Sequence, residues 1–422
     1  MKNRMKKILT VAMVSIAAML LLVGCGSKKN AGSGANSKPA KIVIFQSKVE
    51  ITDDLKALAK EYKKEKGVTV EIWGTTGDDY ITQAKTKLSN RNSSPNIFST
   101  AGGQESQQLG AYMADLSKEP FVKNIAKDKA YISDGKVLGL PYSVEGYGLA
   151  YNTALVKPDQ MKSTDDFINF LKQAKSAGKY SGFELSQESF FLIGHMLNTA
   201  FAVQKDPLAF LKDVESGKTQ LQNVAAFKDL AKIYEAIRQY TPNPLQVKYD
   251  TQIGDLMTGK VAMINQGMWI NTMTSSYKNS DVKLEMMPFP IGGNDKLAVG
   301  VPLYWNVNKN KPANEVKASE DFLNWLVSSK TGQNYIVNKF KFIPAMTNIK
   351  VDEAKMDTLS KAVYESSQKG NNIPWSYGYW PVGAVDTDFV PIAQKFFTDK
   401  SMTGTELMKQ ISVAFVSASQ KK

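Results

Sequence analysis

Lys41-Ile42-Val43-Ile44-Phe45, Val68-Thr69-Val70-Glu71-Ile72-Trp73 and Asn96-Ile97-Phe98-Ser99-Thr100 are three short apolar runs separated by two longer amphipathic ones, Ile51 to Glu65 and Ile81 to Leu88. Short runs rich in β-branched and aromatic residues read as strands, and the Leu-, Ala- and Lys-rich segments between them read as helices. The order is βαβαβ, which predicts an α/β fold with a mostly parallel sheet covered by helices on both faces. Downstream, the pattern predicts helices over Thr164–Ala177, Ser189–Ala202, Leu221–Arg238, Val316–Ser329, Gly332–Asn338 and Thr403–Ala418. Strands are predicted at Val261–Ile264 and Ala298–Leu303, and no internal repeat is present.

Upstream of the first strand the chain changes character. Lys2, Arg4, Lys6 and Lys7 form a positive head, residues 8–24 carry no charge, and Leu22-Val23-Gly24 leads into Cys25, the only cysteine. That is the layout of an export signal, and the Leu-Val-Gly-Cys block resembles the lipobox of bacterial lipoprotein precursors, which implies cleavage before Cys25 and acylation of its thiol. The competing reading is a spanning helix over residues 8–24, short for a crossing that needs roughly 20 apolar residues. Residues 25–40, with Gly, Ser, Asn and Lys and little apolar area, are expected to be a flexible tether. The expected location is the extracytoplasmic face of the cell membrane, held there by lipid.

The chain after residue 24 is too long for one small core and long enough for two lobes. A net charge of +13 raises the question of nucleic acid. Export argues against it, and the lysines are spread along helical stretches as a solvated face would be. With one cysteine no internal disulfide can form, so stability must come from packing.

The motif search separates the function classes. One histidine, His195, lies in the apolar run Phe190–Leu197 and reads as a core residue, since a metal site or a histidine base needs companions this chain lacks. Neither a phosphate-binding Gly-x-x-x-x-Gly-Lys-Ser/Thr loop nor a Gly-x-Gly-x-x-Gly fingerprint is present, so no nucleotide and no cofactor is expected. Gly102-Gly103 would allow a close backbone approach or an ordinary turn, and Asp250 to Asp255 reads as a helix cap rather than a calcium loop. Aromatic residues are 10% of the chain and cluster at Trp73, Tyr142 and Tyr147, Phe190 and Phe191, Trp269, and Trp375 to Trp380. A sugar ring presents an apolar face and a rim of hydroxyls, so it calls for a flat aromatic platform with polar partners. Trp269, placed after Ile264-Asn265-Gln266-Gly267-Met268, is the best single candidate because a strand there ends in a polar, glycine-containing turn.

Several blocks together resemble one family. Gly139-Leu140-Pro141-Tyr142-Ser143, Leu149-Ala150-Tyr151-Asn152, Leu256–Met263 leading to Trp269, and Ala318–Leu326 ahead of Ile343-Pro344-Ala345 are similar to the carbohydrate-binding group of extracellular solute-binding proteins of ABC importers. The resemblance covers nearly all of residues 41–422. It implies a two-lobed periplasmic-binding-protein-like α/β fold with hinge strands and an interlobe cleft. The first lobe would be 41–145 and 300–345, and the second 146–299 and 346–422. It implies capture of a mono- or oligosaccharide, delivery to a transmembrane permease by lobe closure, no chemistry on the solute, and a monomer. The family's stacking tryptophan falls on Trp269, its acidic-aromatic segment on Glu188 to Phe190, and its late aromatic contact on Tyr379 and Trp380, with Trp375 able to replace Trp380. First-lobe contacts would come from Gln46, Ser47 or Lys48 and from Gly103-Gln104-Glu105. Where many relatives carry Pro-Asp before the third strand, this chain has Pro95-Asn96. An extracellular glycoside hydrolase, an adhesion protein, and a binder of glycerol phosphate or polyamine are the alternatives; a hydrolase would need two carboxyls about 5 to 9 Å apart, and no such pair identifies itself.

Overall fold

Strand β1 (Lys41–Gln46) pairs in parallel with β2 (Thr69–Gly74) and β3 (Ile97–Thr100), as the opening pattern requires. The computed structural model describes residues 41–74, 80–90, 93–278 and 280–421; the signal segment, Cys25 and the tether lie outside them. The helix Thr52–Lys66 between β1 and β2 buries Leu55, Leu58, Ala59 and Tyr62 at helical spacing. Asp53 and Asp54 in its first turn and Lys63, Lys64 and Lys66 in its last complement the helix dipole, and Gly67, at φ +73°, ends it.

The remaining strands are β4 (Tyr131–Ser133), β5 (Lys136–Pro141), β6 (Glu145–Asn152), β7 (Met263–Gly267), β8 (Leu284–Met287), β9 (Leu297–Gly300), β10 (Tyr304–Val307) and β11 (Asn372–Ile373). One sheet runs β2-β1-β3-β10-β5-β4; the other runs β11-β9-β6-β7, with β8 also on β6. The expectation of a mostly parallel sheet is corrected here. β10 is antiparallel to β3 and β5, and β6 is antiparallel to β7, β8 and β9. The reason is connectivity: β10 enters the first sheet from the second lobe, not through a local crossover helix.

Each lobe packs its own core. The first sheet is covered by Leu55, Tyr62, Trp305, Phe322, Trp325 and Phe340. The second is sandwiched between a large cluster around Phe167, Phe201, Tyr234 and Phe415 and a smaller one around Ile253, Leu256, Ile264 and Val363. The helix Thr164–Ala177 starts at Ser163 with a reciprocal capping box to Asp166 and stops at Gly178, φ +66°. The stretch predicted as one helix over Ser189–Ala202 instead contains a π-helical turn, Phe190–Gly194, before the α-helix His195–Ala202. Gly194 is required there, because a Cβ would stand 2.7 Å from the Phe190 ring.

Residues 142–144 between β5 and β6 and 301–303 between β9 and β10 each lead the chain from one sheet to the other. Val144 is also tied to the segment near the late proline, its N–H donating to the Ile343 carbonyl at 2.7 Å.

Candidate ligand-binding cleft

Trp269 is set by its immediate neighbours. β7 ends at Gly267 and the chain turns through Met268–Ile270, folding the indole back over Gly267, where a Cβ would meet the ring at 2.2 Å. The indole N–H donates to Gln266 Oε1 (2.9 Å), Gln266 Nε2 to Gln252 Oε1 (2.8 Å), and Gln252 Nε2 to the Glu184 carbonyl (2.8 Å). Gln252 and Gln266 are fully buried, so this relay pins the orientation of the ring.

Trp375, following β11, packs on Gly300 at the end of β9, again where a Cβ would collide with the indole (2.7 Å). Its ring stands nearly perpendicular to that of Trp269, centroids 6.5 Å apart. Phe191 and Tyr249 stack at 5.0 Å, and His195 stacks on Tyr147 at 4.1 Å. Trp269, Trp375, Phe191, Tyr249 and His195, with Phe190, Tyr377 and Pro302, line a cavity of about 660 Å³ whose wall also holds Glu50, Glu145 and Asp250. That volume lies within the roughly 300–1,000 Å³ range of small-molecule sites. Among the described residues, no lysine or arginine lines it, although the chain is strongly basic. A second cavity of about 590 Å³ shares Phe190 and Tyr377 with the first and continues to Ser47, Tyr80 and Glu105.

The carboxylates at the base are organised by Lys48. Its Nζ lies 2.7 Å from both Glu50 Oε1 and Glu145 Oε1, and the lysine is 7% exposed. Burial alone would lower the ammonium's pKa, but Glu145 and Glu50 together hold it above the ordinary lysine value. Burial also opposes ionisation of Glu50, yet the Lys48 charge keeps that carboxyl below its usual range; at Glu145, burial wins over Lys48 and the pKa is raised. Because Glu145 opens β6 and Lys48 follows β1, this ion pair joins strand ends belonging to the two different sheets.

The structure distributes the residues singled out from sequence as follows. Trp269 lines the first cavity and Glu105 the second. Glu105 Oε1 accepts from the Ala101 N–H (2.8 Å), and burial pushes its carboxyl up to about 7. Lys48 is engaged in the ion cluster rather than facing the aromatic walls. Gln46 is fully buried, its amide tied to Thr52 Oγ1 and to the Lys48 N–H, and so shapes the turn after β1. Glu188 Oε1 accepts from the Tyr249 N–H (3.0 Å) at the start of the helix Tyr249–Met257, acting as a cap. Tyr379 is 44% exposed and contributes its carbonyl, which accepts from Gln104 Nε2 (2.8 Å). Trp380 touches the second cavity but is 2% exposed, packed among Phe201, Phe389 and Phe415. Of the two late tryptophans, Trp375 is the one on the first cavity.

Glu50, Glu145, Phe191, Tyr249, Asp250 and Tyr377 were not singled out as contacts from sequence, and His195 was assigned to the core. Only Phe191 and Tyr377 carried a signal, as members of aromatic clusters. Among the described residues there is no group of three or more His, Cys, Asp or Glu placed to hold a metal ion, and no helix long and apolar enough to cross a membrane.

A family model described as bacterial extracellular solute-binding protein matches residues 57–362. The chain belongs to this family. This solute-binding protein is 26% identical over 395 residues to the maltooligosaccharide ABC transporter solute-binding lipoprotein of Streptococcus pneumoniae, covering 88% of each chain. Its fold is similar to that of a chitin oligosaccharide binding protein (TM-score 0.73, 18% identity, 90% of this chain and 99% of that one). It is likewise similar to the binding protein RafE in complex with raffinose (TM-score 0.71, 18% identity, 90% and 100%). Membership places it among binding proteins rather than enzymes.

Proposed function

We propose that this protein captures an extracellular carbohydrate, mono- or oligosaccharide, between its lobes and delivers it intact to the permease of an ABC importer. The observation that carries the reading is the wall of the first cavity: indole, phenol and phenyl faces from the second lobe, with carboxylates of Glu50, Glu145 and Asp250 at its margin and no cationic side chain among the described lining residues. Aromatic faces cover the C–H side of a pyranose, and carboxylates accept from its hydroxyls with charge-assisted strength. The relatives' names, a maltooligosaccharide transporter lipoprotein, a chitin oligosaccharide binding protein and a binding protein in complex with raffinose, support the same class.

An acidic wall repels glycerol phosphate. Spermidine is the competing solute, since aromatic faces and carboxylates also suit a cation. For hydrolysis, Glu50 and Glu145 are poor partners because both are tied to the same Lys48 ammonium. In this reading the first lobe is 41–145 with 300–345, the second is 146–299 with 346–422, and closure is a hinge motion at the connecting segments. The protein acts as a monomer, and Cys25 carries lipid that holds it at the extracytoplasmic face of the membrane.

Titration calorimetry with maltotriose, raffinose, N,N′-diacetylchitobiose, spermidine and glycerol 3-phosphate tests this. Saturable heat with at least one sugar is expected, with the sugar recovered unchanged by chromatography. Binding of spermidine alone, or a cleaved sugar, would overturn the reading.

A further inference from the structure

The first cavity is rich in hydrogen-bond acceptors and poor in donors. Its wall holds the carboxylates of Glu50, Glu145 and Asp250 and, among the described lining residues, no Asn, Gln, Lys or Arg. Two of its hydrogens are already committed: the Trp269 indole N–H donates to Gln266 Oε1 (2.9 Å) and the Thr272 hydroxyl to the Trp269 carbonyl (3.1 Å). A sugar hydroxyl both donates and accepts, so it finds acceptors here but few donors for its own oxygen. A protonated amine is the opposite case, with three donors and no acceptor, and it matches this wall.

The charge balance points the same way. One ammonium, Lys48, stands 2.7 Å from both Glu50 and Glu145, while the exposed Asp250 has no ion-pair partner among the described residues. Even beside Lys48 the Glu145 carboxyl keeps a raised pKa, because burial outweighs that single cation; its ionised form would gain from a second one. Burial first, and then the carboxylates of Glu50, Asp250, Glu145 and Glu188, disfavour ionisation of the Tyr249 phenol. In a chain of net charge +13, such a wall does not follow from composition. The rings add to it: Tyr249 stacks on Phe191 with planes 14° apart, and Phe191 lies 6.5 Å from Trp269 with planes 28° apart. Aromatic faces attract cations through the negative side of their quadrupole, most strongly where water is excluded.

We propose that the solute captured here is a sugar bearing a protonated amino group, its ring packed on the faces of Phe191, Tyr249 and Trp269 and its ammonium held by the carboxylates of Glu50, Glu145 and Asp250. The inference rests on the carbohydrate reading and deepens it: spermidine supplies the charge without the ring, and maltotriose or raffinose the ring without the charge.

Cellobiose, N,N′-diacetylchitobiose and chitobiose test this, because they share one β-1,4-linked skeleton and carry a hydroxyl, an acetamide and an amine, respectively, at C2. Titration calorimetry at low ionic strength and about pH 6, where the amine is protonated, should give chitobiose a Kd about tenfold or more below those of the other two and of spermidine. Added salt should narrow the gap by screening the charges. Asp250→Asn alters an exposed carboxylate, so Tm should change little, while the preference for chitobiose over cellobiose should fall about threefold or more. If cellobiose, N,N′-diacetylchitobiose, maltotriose or raffinose binds as tightly as chitobiose, or if Asp250→Asn leaves the preference unchanged, the inference falls. Heat from spermidine alone, or from none of these sugars, would refute the carbohydrate reading itself, a result distinct from a neutral sugar binding as well as the amine.

Discussion

Gly103→Ala separates two effects that the structure places at one residue. Gly103 has φ +76°, and a Cβ there would stand 2.1 Å from the Gly378 carbonyl oxygen and 2.5 Å from its carbon. Gly103 precedes the first-lobe helix Gln104–Leu109, and Gly378 belongs to the loop after β11, so the contact is between lobes; Gln104 Nε2 reinforces it by donating to the Tyr379 carbonyl at 2.8 Å. The backbone at Gly103, with φ +76° and ψ −135°, lies where essentially only glycine is found, so an alanine is strained there by about 1–3 kcal/mol wherever the lobes stand, which lowers Tm. The collision exists only when the lobes meet, and both colliding atoms are backbone, so the neighbouring segment must move bodily. Overpacking of this kind costs about 1–3 kcal/mol, and loss of the Gln104 hydrogen bond about 1 kcal/mol more. These penalties oppose the closed arrangement alone, so solute affinity should fall by about 2–4 kcal/mol, roughly 30- to 700-fold in Kd. Gly67→Ala is the control for positive φ without collision: at φ +73° and ψ 4° it is left-handed, with nothing within 4 Å of the added Cβ, so it carries a milder backbone strain and no clash. Calorimetric Kd for the bound sugar and Tm by scanning calorimetry, on the same three proteins, should show Tm lowered in both variants and affinity lost only in Gly103→Ala. An unchanged Kd for Gly103→Ala would refute the argument that binding requires this contact.

Other substitutions test other parts of the cleft. Trp269→Ala should weaken sugar binding by about 2 kcal/mol, roughly 30-fold; a lowered Tm with unchanged Kd would make the indole a core residue instead. Glu105, raised to about 7 by burial, binds a proton in the folded protein at pH values where the unfolded chain, with an ordinary carboxyl pKa near 4.5, has lost it. Stability from this group is therefore full below about pH 4.5 and declines as pH rises toward 7, so Glu105→Gln should raise Tm more at pH 8 than at pH 4; an equal effect at both would contradict the assignment. Cys25→Ser should move the protein from the membrane fraction into the soluble one, and a variant that resists salt and carbonate washes would favour the spanning-helix reading of residues 8–24.

Local chemistry accounts for what could be read in advance. The helix Thr164–Ala177 appears at its predicted limits because a capping box and a left-handed glycine mark its two ends within a few residues. The opening βαβαβ unit and Trp269 were legible for the same reason, since neighbours in sequence determine them. β6 carried no periodic signal: all eight of its residues are buried, and a strand covered on both faces has no polar alternation to read. The mixed sheet order was equally hidden, because β10 finds its place only after the chain returns from the second lobe.

The cleft divides along the same line. The chain by itself determined that aromatics cluster near turns and that one tryptophan follows a strand end. It could not determine that Glu50 and Glu145 share Lys48 between strand ends of different sheets, that Tyr249 and Trp375 face the same cavity, or that Gln46 and Glu188 serve neighbouring backbone and side-chain groups instead. Those assignments depend on which distant segments pack together. Whether a carboxylate meets an ammonium, a helix end or open cleft is set by burial and by partners far away in the chain, and these exist only once both lobes have formed.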